Sequence, residues 1–276
     1  MPKIIVIIPA AGLARRMESD QNKAFLLLDG ESVIKRTVKT FLEVKAIDQI
    51  CIMVNPQEQT KMKKEISDME NPFNIEIALV PGGDTRQDSV RLGLEYVANK
   101  NPVLLDSIKS IFMQKTSNRE NGLWRYLILE NLYDQIKSLC LSGKKRTLCI
   151  VHDGARCLVD KELVQGYLTE LEQDYVGLGV AVAVKDTIRR IDDAGNVVET
   201  PKRSNLRAMQ TPQGSDFEVL FAAYQYVKEN QIEVTDDIAV LEAINYPVKL
   251  YPGDLANIKI TYPEDILLAE KLLKIE

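Results

Sequence analysis

Apolar and polar positions along this chain fall into two alternating registers. Unbroken runs of β-branched and aliphatic residues recur at Ile4–Ile8, Gln49–Val54, Ile75–Val80, Thr147–Val151, Gly179–Val184 and Val248–Tyr251. Such runs predict strands covered on both faces, as in a parallel sheet. Between them, apolar residues at helical spacing over Ser32–Leu42, Gln57–Met69, Arg86–Val97 and Lys161–Glu172 predict amphipathic helices. Strands alternating with helices imply right-handed crossovers and a three-layer α/β/α fold around a mainly parallel, Rossmann-like sheet. Ligands in such sheets sit beyond the carboxyl ends of the strands. The polar motifs that follow each strand are therefore expected to converge.

Two stretches break the rhythm. Asn99–Lys145 starts polar and Lys/Asn/Ser-rich, then shows helical spacing over Leu123–Leu141, and reads as a helix-containing insertion. Within 185–209, alternating residues flank Asp192-Asp193-Ala194-Gly195-Asn196, which predicts a β-hairpin projecting as an arm. Length suits a single domain over residues 1–276 with these two appendages. Met209-Gln210-Thr211-Pro212-Gln213 reads as a polar turn, Thr235-Asp236-Asp237 as a helix cap, and Asn257-Ile258-Lys259-Ile260-Thr261 as an edge strand.

Composition narrows the classes. A net charge of −5 argues against general nucleic-acid or membrane-surface binding. No apolar run reaches ~18 residues, so no membrane span is expected. The N-terminal run is too short for a secretory signal, which makes the cytoplasm the expected compartment. Cys51, Cys140, Cys149 and Cys157 form no CxxC pair, so neither a zinc site nor a disulfide framework is indicated. Cys51 and Cys149 lie in strand-like runs and read as small core residues.

The chemistry lies after the strands. Pro9-Ala10-Ala11-Gly12-Leu13-Ala14-Arg15-Arg16-Met17 is a small-residue loop beside cations, a surface on which a phosphate can approach backbone N–H groups. It is neither a Walker A loop nor a dinucleotide fingerprint, because the required lysine and glycines are missing. Pro81-Gly82-Gly83-Asp84-Thr85-Arg86-Gln87-Asp88-Ser89-Val90 makes a turn into a helix whose first turn carries Arg86, against the helix dipole. His152-Asp153-Gly154-Ala155-Arg156 places an acid at a strand end, a common way to hold Mg²⁺ on a polyphosphate. The lone histidine, His152, reads as an orienting or packed residue. If the loops converge, Arg16, Lys23, Arg86, Arg156, Arg203 and Lys259 meet on one rim of an acidic protein, and their joint ligand is polyanionic.

Taken in order, these motifs together with Lys185-Asp186-Thr187 resemble the 2-C-methyl-D-erythritol 4-phosphate cytidylyltransferases of isoprenoid biosynthesis. The resemblance spans nearly the whole chain outside Asn99–Lys145. It implies a nucleotide-diphospho-sugar transferase type of fold and transfer of CMP from CTP to a sugar-alcohol phosphate, with Mg²⁺ as the divalent cofactor. It also implies a homodimer joined through the 185–209 arm. Carried over by position, it makes Arg16, Lys23 and Lys259 catalytic. It puts Ala10, Ala11, Gly12, Ala14, Gly83, Asp84, Arg86 and Ser89 around the nucleotide. Asp153, Gly154, Arg156, Thr187, Arg203 and Thr211 face the acceptor phosphate, and Asp153 also takes the metal. Ribitol 5-phosphate cytidylyltransferases share these motifs and stand as the alternative. A nucleotide-binding scaffold without turnover is the second alternative. The chain departs from the family pattern at Ala14, at Asn22 and Ala24 in place of proline and glutamine, and at Gly154 and Cys157. These departures read as drift, because the charged residues are intact.

Overall fold

The computed structural model describes residues 2–12, 22–113 and 146–274. Among them, a seven-stranded sheet has the order β11-β7-β10-β6-β1-β4-β5. Its strands are β1 (Lys3–Pro9), β4 (Gln49–Val54), β5 (Glu76–Pro81), β6 (Thr147–Val151), β7 (Gly177–Ala183), β10 (Arg207–Asp216) and β11 (Val248–Pro252). All pairings are parallel except those of β10, which runs antiparallel between β6 and β7. The short pairs β2 (Leu27–Leu28) with β3 (Glu31–Ser32), and β8 (Arg190–Ile191) with β9 (Val197–Glu199), form separate ribbons. The second ribbon is the expected hairpin, and its residues are exposed.

Period-two alternation within β1 builds both layers. Ile5 and Ile7 enter one core with helices α3 (Arg86–Lys100), α4 (Pro102–Met113), α6 (Phe217–Glu229) and α7 (Asp237–Glu242). Ile4, Val6 and Ile8 enter the other with α1 (Val33–Leu42), α2 (Gln59–Ile66) and α5 (Lys161–Gln173). Each such side chain contributes about 1.5–3 kcal/mol by leaving water. Helix α8 (Pro263–Leu272) closes a third, smaller cluster with Leu28, Val33, Ala155, Cys157 and Ile260. Cys51, Cys149 and Cys157 are free and buried, as strand and core positions imply. Cys140 lies outside the described residues.

Several expectations change. Helix α2 is shorter than its apolar spacing implied, because Pro56 opens a 3₁₀ turn, Pro56–Glu58, before it. The polar start of Asn99–Lys145 is helical: Pro102 takes a first-turn position in α4, and Leu104 and Ile108 pack into the core. Leu123–Leu141 lies outside the described residues. Met209–Gln213 is no turn but the middle of β10, with a register shift that admits Pro212. Its polarity is met by other segments of the chain: Gln210 donates to Asp254 O and Gln213 to Asp236 Oδ2. Asn257–Thr261 is not a strand. It bonds to the loop after β6, from Ile260 N to Ala155 O at 2.8 Å.

Candidate active site

At the carboxyl ends of β1, β5 and β6 the chain leaves a cavity of about 260 Å³. Its walls are the loop after β1 (Pro9 to Gly12), the turn after β5 with the start of α3 (Gly83–Arg86 and Ser89), and Asp153–Ala155 after β6. Lys23 and Lys259 reach it from two other segments. The first two walls touch closely: a Cβ on Gly82 would lie 2.4 Å from Ala11 Cβ, so glycine is required there. Thr85 caps α3 by accepting from Asp88 N. Ser89 is buried and holds the turn, accepting from Gly83 N at 3.1 Å and donating to Thr85 O at 2.9 Å.

Asp153 is the electrostatic centre. Its Oδ1 accepts from Arg86 Nε at 2.8 Å, its Oδ2 lies 2.8 Å from Lys259 Nζ, and Arg156 Nε stands 3.6 Å away. Burial alone would raise this carboxyl, but Arg86 and Lys259 outweigh it and hold it well below the usual carboxylate range. Arg86 in turn makes a two-pronged bond to Asp237, at 3.1 and 2.6 Å. Burial works against its charge, and Asp237 and Asp153 overcome that. The arginine that seemed misplaced in a first turn is thus neutralised by two acids from other elements. Asp237 is fully buried, takes a bond from Tyr224 OH, and its N–H donates to Gln213 Oε1. Reading Thr235-Asp236-Asp237 as a cap covers Asp236, which accepts from Ala239 N, but misses Asp237. The doubled acid, when a cap needs one, was the available signal.

Beneath Asp153 lies a buried polar layer. Thr211 Oγ1 accepts from Asp153 N at 3.1 Å and meets His152 Nδ1 at 3.0 Å; His152 Nε2 meets Arg156 O. Burial pushes His152 down to about 4, against the pull of the Arg156 carbonyl and of Asp153, so it is a neutral packing residue at neutral pH. Arg156 donates to the carbonyls of Asn257 at 2.9 Å and Met209 at 3.2 Å, tying the two segments together. Lys23 Nζ donates to Ile260 O at 3.4 Å.

Of the residues expected at the site, Ala10, Ala11, Gly12, Lys23, Gly83, Asp84, Arg86, Ser89, Asp153, Gly154 and Lys259 line the cavity. Thr211 and Arg156 support its floor without lining it. Thr187 and Arg203 lie on the exposed arm base, where Arg203 donates to Lys185 O. Ala14 and Arg16 lie outside the described residues. Of the six cations expected to meet, Lys23, Arg86 and Lys259 do so at this cavity.

A cationic pocket walled by small-residue loops at the carboxyl ends of a mainly parallel sheet defines an α/β protein with a site for a polyanionic ligand. Comparison with known proteins narrows the class. The family model for 2-C-methyl-D-erythritol 4-phosphate cytidylyltransferase (IspD) matches residues 4–118 and 133–275. The chain belongs to this family. The protein of that name from Desulforamulus reducens is 34% identical over 275 residues, 99% of this chain and 97% of the relative. The one from Prochlorococcus marinus MIT 9515 is 34% identical over 269 residues, 98% of each. A crystal structure of 4-diphosphocytidyl-2C-methyl-D-erythritol synthase from Anaerococcus prevotii superposes with a TM-score of 0.73 at 25% identity, covering 99% of this chain and 96% of that one. The Thermus thermophilus cytidylyltransferase gives 0.64 at 25% identity, covering 99% of each.

Proposed function

We infer that this chain transfers CMP from CTP to 2-C-methyl-D-erythritol 4-phosphate and releases pyrophosphate. The observation that carries the reading is the meeting of Lys23, Lys259 and Asp153 on the Ala10–Gly12 loop, in a chain of this family. A phosphate oxygen of the acceptor attacks the α-phosphorus of CTP in line. The bond to the bridging oxygen breaks and pyrophosphate leaves. An ionised phosphate needs no strong base, so catalysis is positioning and stabilisation of charge at a crowded phosphorus.

Position at the cavity supports Lys23 and Lys259 as groups facing the triphosphate, and Ala10, Ala11, Gly12, Gly83 and Asp84 as a wall around the cytidine whose small side chains leave room for a pyrimidine. The resemblance alone adds Arg16 to the first set and Ala14 to the second. Arg86 spends its guanidinium on Asp153 and Asp237 and orients the nucleotide wall. Gly154, Arg156, Thr211, Thr187 and Arg203 form the acceptor side, the last two from the arm of a second copy in a homodimer. The arm exposes Ile188, Ile191, Val197 and Val198, apolar surface that a partner would cover.

The donor set fits Mg²⁺. This ion takes one or two carboxylates plus substrate phosphates, and Asp153 is a carboxylate kept ionised at the cavity wall. Among the described residues, no cluster of three acidic, histidine or cysteine groups could cage a metal alone. Asp153 would hold the ion jointly with the nucleotide, and the ion when bound neutralises the phosphates and polarises the phosphorus. No helix among the described residues is long and apolar enough to cross a membrane, and the cytoplasm is the proposed site of action.

Pyrophosphate release measured with CTP and either methylerythritol 4-phosphate or ribitol 5-phosphate, with and without Mg²⁺, tests this. Release with the first acceptor and Mg²⁺ is expected. Preference for ribitol phosphate would reassign the acceptor, and release with neither would leave only a nucleotide-binding scaffold.

A further inference from the structure

Lys23 opens a three-residue 3₁₀ turn, Lys23–Phe25, and a lysine that must meet one phosphorus needs its backbone held. The residue before it is Asn22, buried to 1% exposure. Its amide is spent on three segments. Oδ1 accepts from Ala24 N at 3.0 Å and caps the turn. Nδ2 donates to Ala10 O at 2.9 Å, in the loop after β1, and to Glu58 Oε2 at 2.7 Å, in the turn after β4. From that same side Lys61 lies 4.0 Å over the Phe25 ring. Both amide hydrogens and the amide oxygen are therefore occupied, which a buried polar side chain requires.

We propose that Asn22 is a positioning residue for nucleotidyl transfer: it sets Lys23 against the Ala10–Gly12 loop, with Glu58 as the outside anchor of its amide. The proposal rests on the reading of Lys23 as a group that faces the triphosphate. It makes Asn22 a working part of the site rather than drift. The geometry demands an amide. Aspartate would turn a second acceptor towards Ala10 O and Glu58, losing both donated bonds and adding like-charge repulsion. Proline would act differently. The Asn22 backbone lies at φ −61° and ψ 126°, where the proline ring holds φ without strain. Asn22→Pro thus replaces a hydrogen-bonded constraint on the turn by a covalent one.

Steady-state pyrophosphate release and thermal unfolding of single variants test this. Asn22→Ala is expected to lower kcat by about a hundredfold, the scale of a misplaced catalytic group, with KM for CTP changed little. Asn22→Asp falls at least as far, and Asn22→Pro recovers most of the lost kcat. Glu58→Gln, which keeps an acceptor, stays near the parent. Glu58→Ala lowers kcat in the parent but not in the Asn22→Pro background, a readout that survives if Asn22→Ala fails to fold. Parental kcat in Asn22→Ala, or an Asn22→Pro variant that regains stability but not kcat, overturns the proposal. Full turnover in Lys23→Ala would instead sink the reading of Lys23. An inactive Lys23→Ala beside a fully active Asn22→Ala would remove the role of Asn22 alone.

Discussion

The two ends of β6 carry the same device put to different use. At the amino end, Arg146 makes a two-pronged bond to Asp216, at 2.8 and 3.0 Å. It also donates to the carbonyls of Glu172 and Asp174 at the end of α5 and stacks over Tyr175. At the carboxyl end, Arg86 makes a two-pronged bond to Asp237, and its remaining Nε goes to Asp153. Both need the planar fork of arginine, which lysine cannot mimic. The difference lies in what the spare donors meet. Arg146 closes on backbone carbonyls and ties a helix to the sheet. Arg86 reaches a carboxylate that also holds Lys259 at the cavity. One end is a seam and the other a clamp on a reacting site.

That contrast can be broken by substitution. Arg146→Ala breaks the ion pair with the buried Asp216 and is expected to remove about 3–5 kcal/mol of stability, while kcat per folded molecule stays at the parental value; chemical denaturation beside initial rates reads both. Asp237→Asn keeps the shape but removes the charge opposite Arg86. It is expected to cost about 2–3 kcal/mol of stability, the range of a charge-assisted bond, and unlike Arg146→Ala it also lowers kcat/KM. A stability loss with unchanged kinetics would make the upper clamp a second seam.

Lowering the pH probes the upper end alone. His152 has its folded value pushed from 6.5 to about 4 by burial, so the unfolded chain binds the proton first as pH falls. Stability is full above 6.5 and declines between there and about 4, by about 2 kcal/mol from pH 7 to pH 5. Asp153, held low, adds its own loss only as pH drops further, below its unfolded value of 3.8. Urea denaturation at the two pH values, repeated with His152→Gln, separates this contribution: the slope should flatten in the variant. The smallest effect is expected on the arm. Arg190 and Glu199 pair at 2.9 Å with side chains 63% and 53% exposed, and Arg190→Ala should change stability by less than about 1 kcal/mol.

Much of the layout was legible in the residue order, because burial on both faces writes an unbroken apolar run. β1, β4 and β6 lie where Ile4–Ile8, Gln49–Val54 and Thr147–Val151 indicate, and α1 and α3 lie where the helical spacing of Ser32–Leu42 and Arg86–Val97 indicates. Where the reading departs from the structure, long-range partners are the cause. Polarity was taken to mean a turn at Met209–Gln213 and a cap at Asp237, yet Gln210, Gln213 and Asp237 are buried and bonded to groups 20 or more residues away. The bonds of Asn22 were hidden in the same way. Its three bonds include Ala10 and Glu58, 12 and 36 residues off, and no local pattern announces them.

By itself the sequence determined the strand–helix alternation, the end of the sheet at which ligands belong, and the identity of the charged groups, because these depend on neighbours in the chain and on chemistry each residue carries. Only the tertiary structure decided how those charges are shared. Whether an arginine meets phosphate or carboxylate, and whether an amide is idle or holds a lysine in place, depends on distances between segments that folding alone brings together.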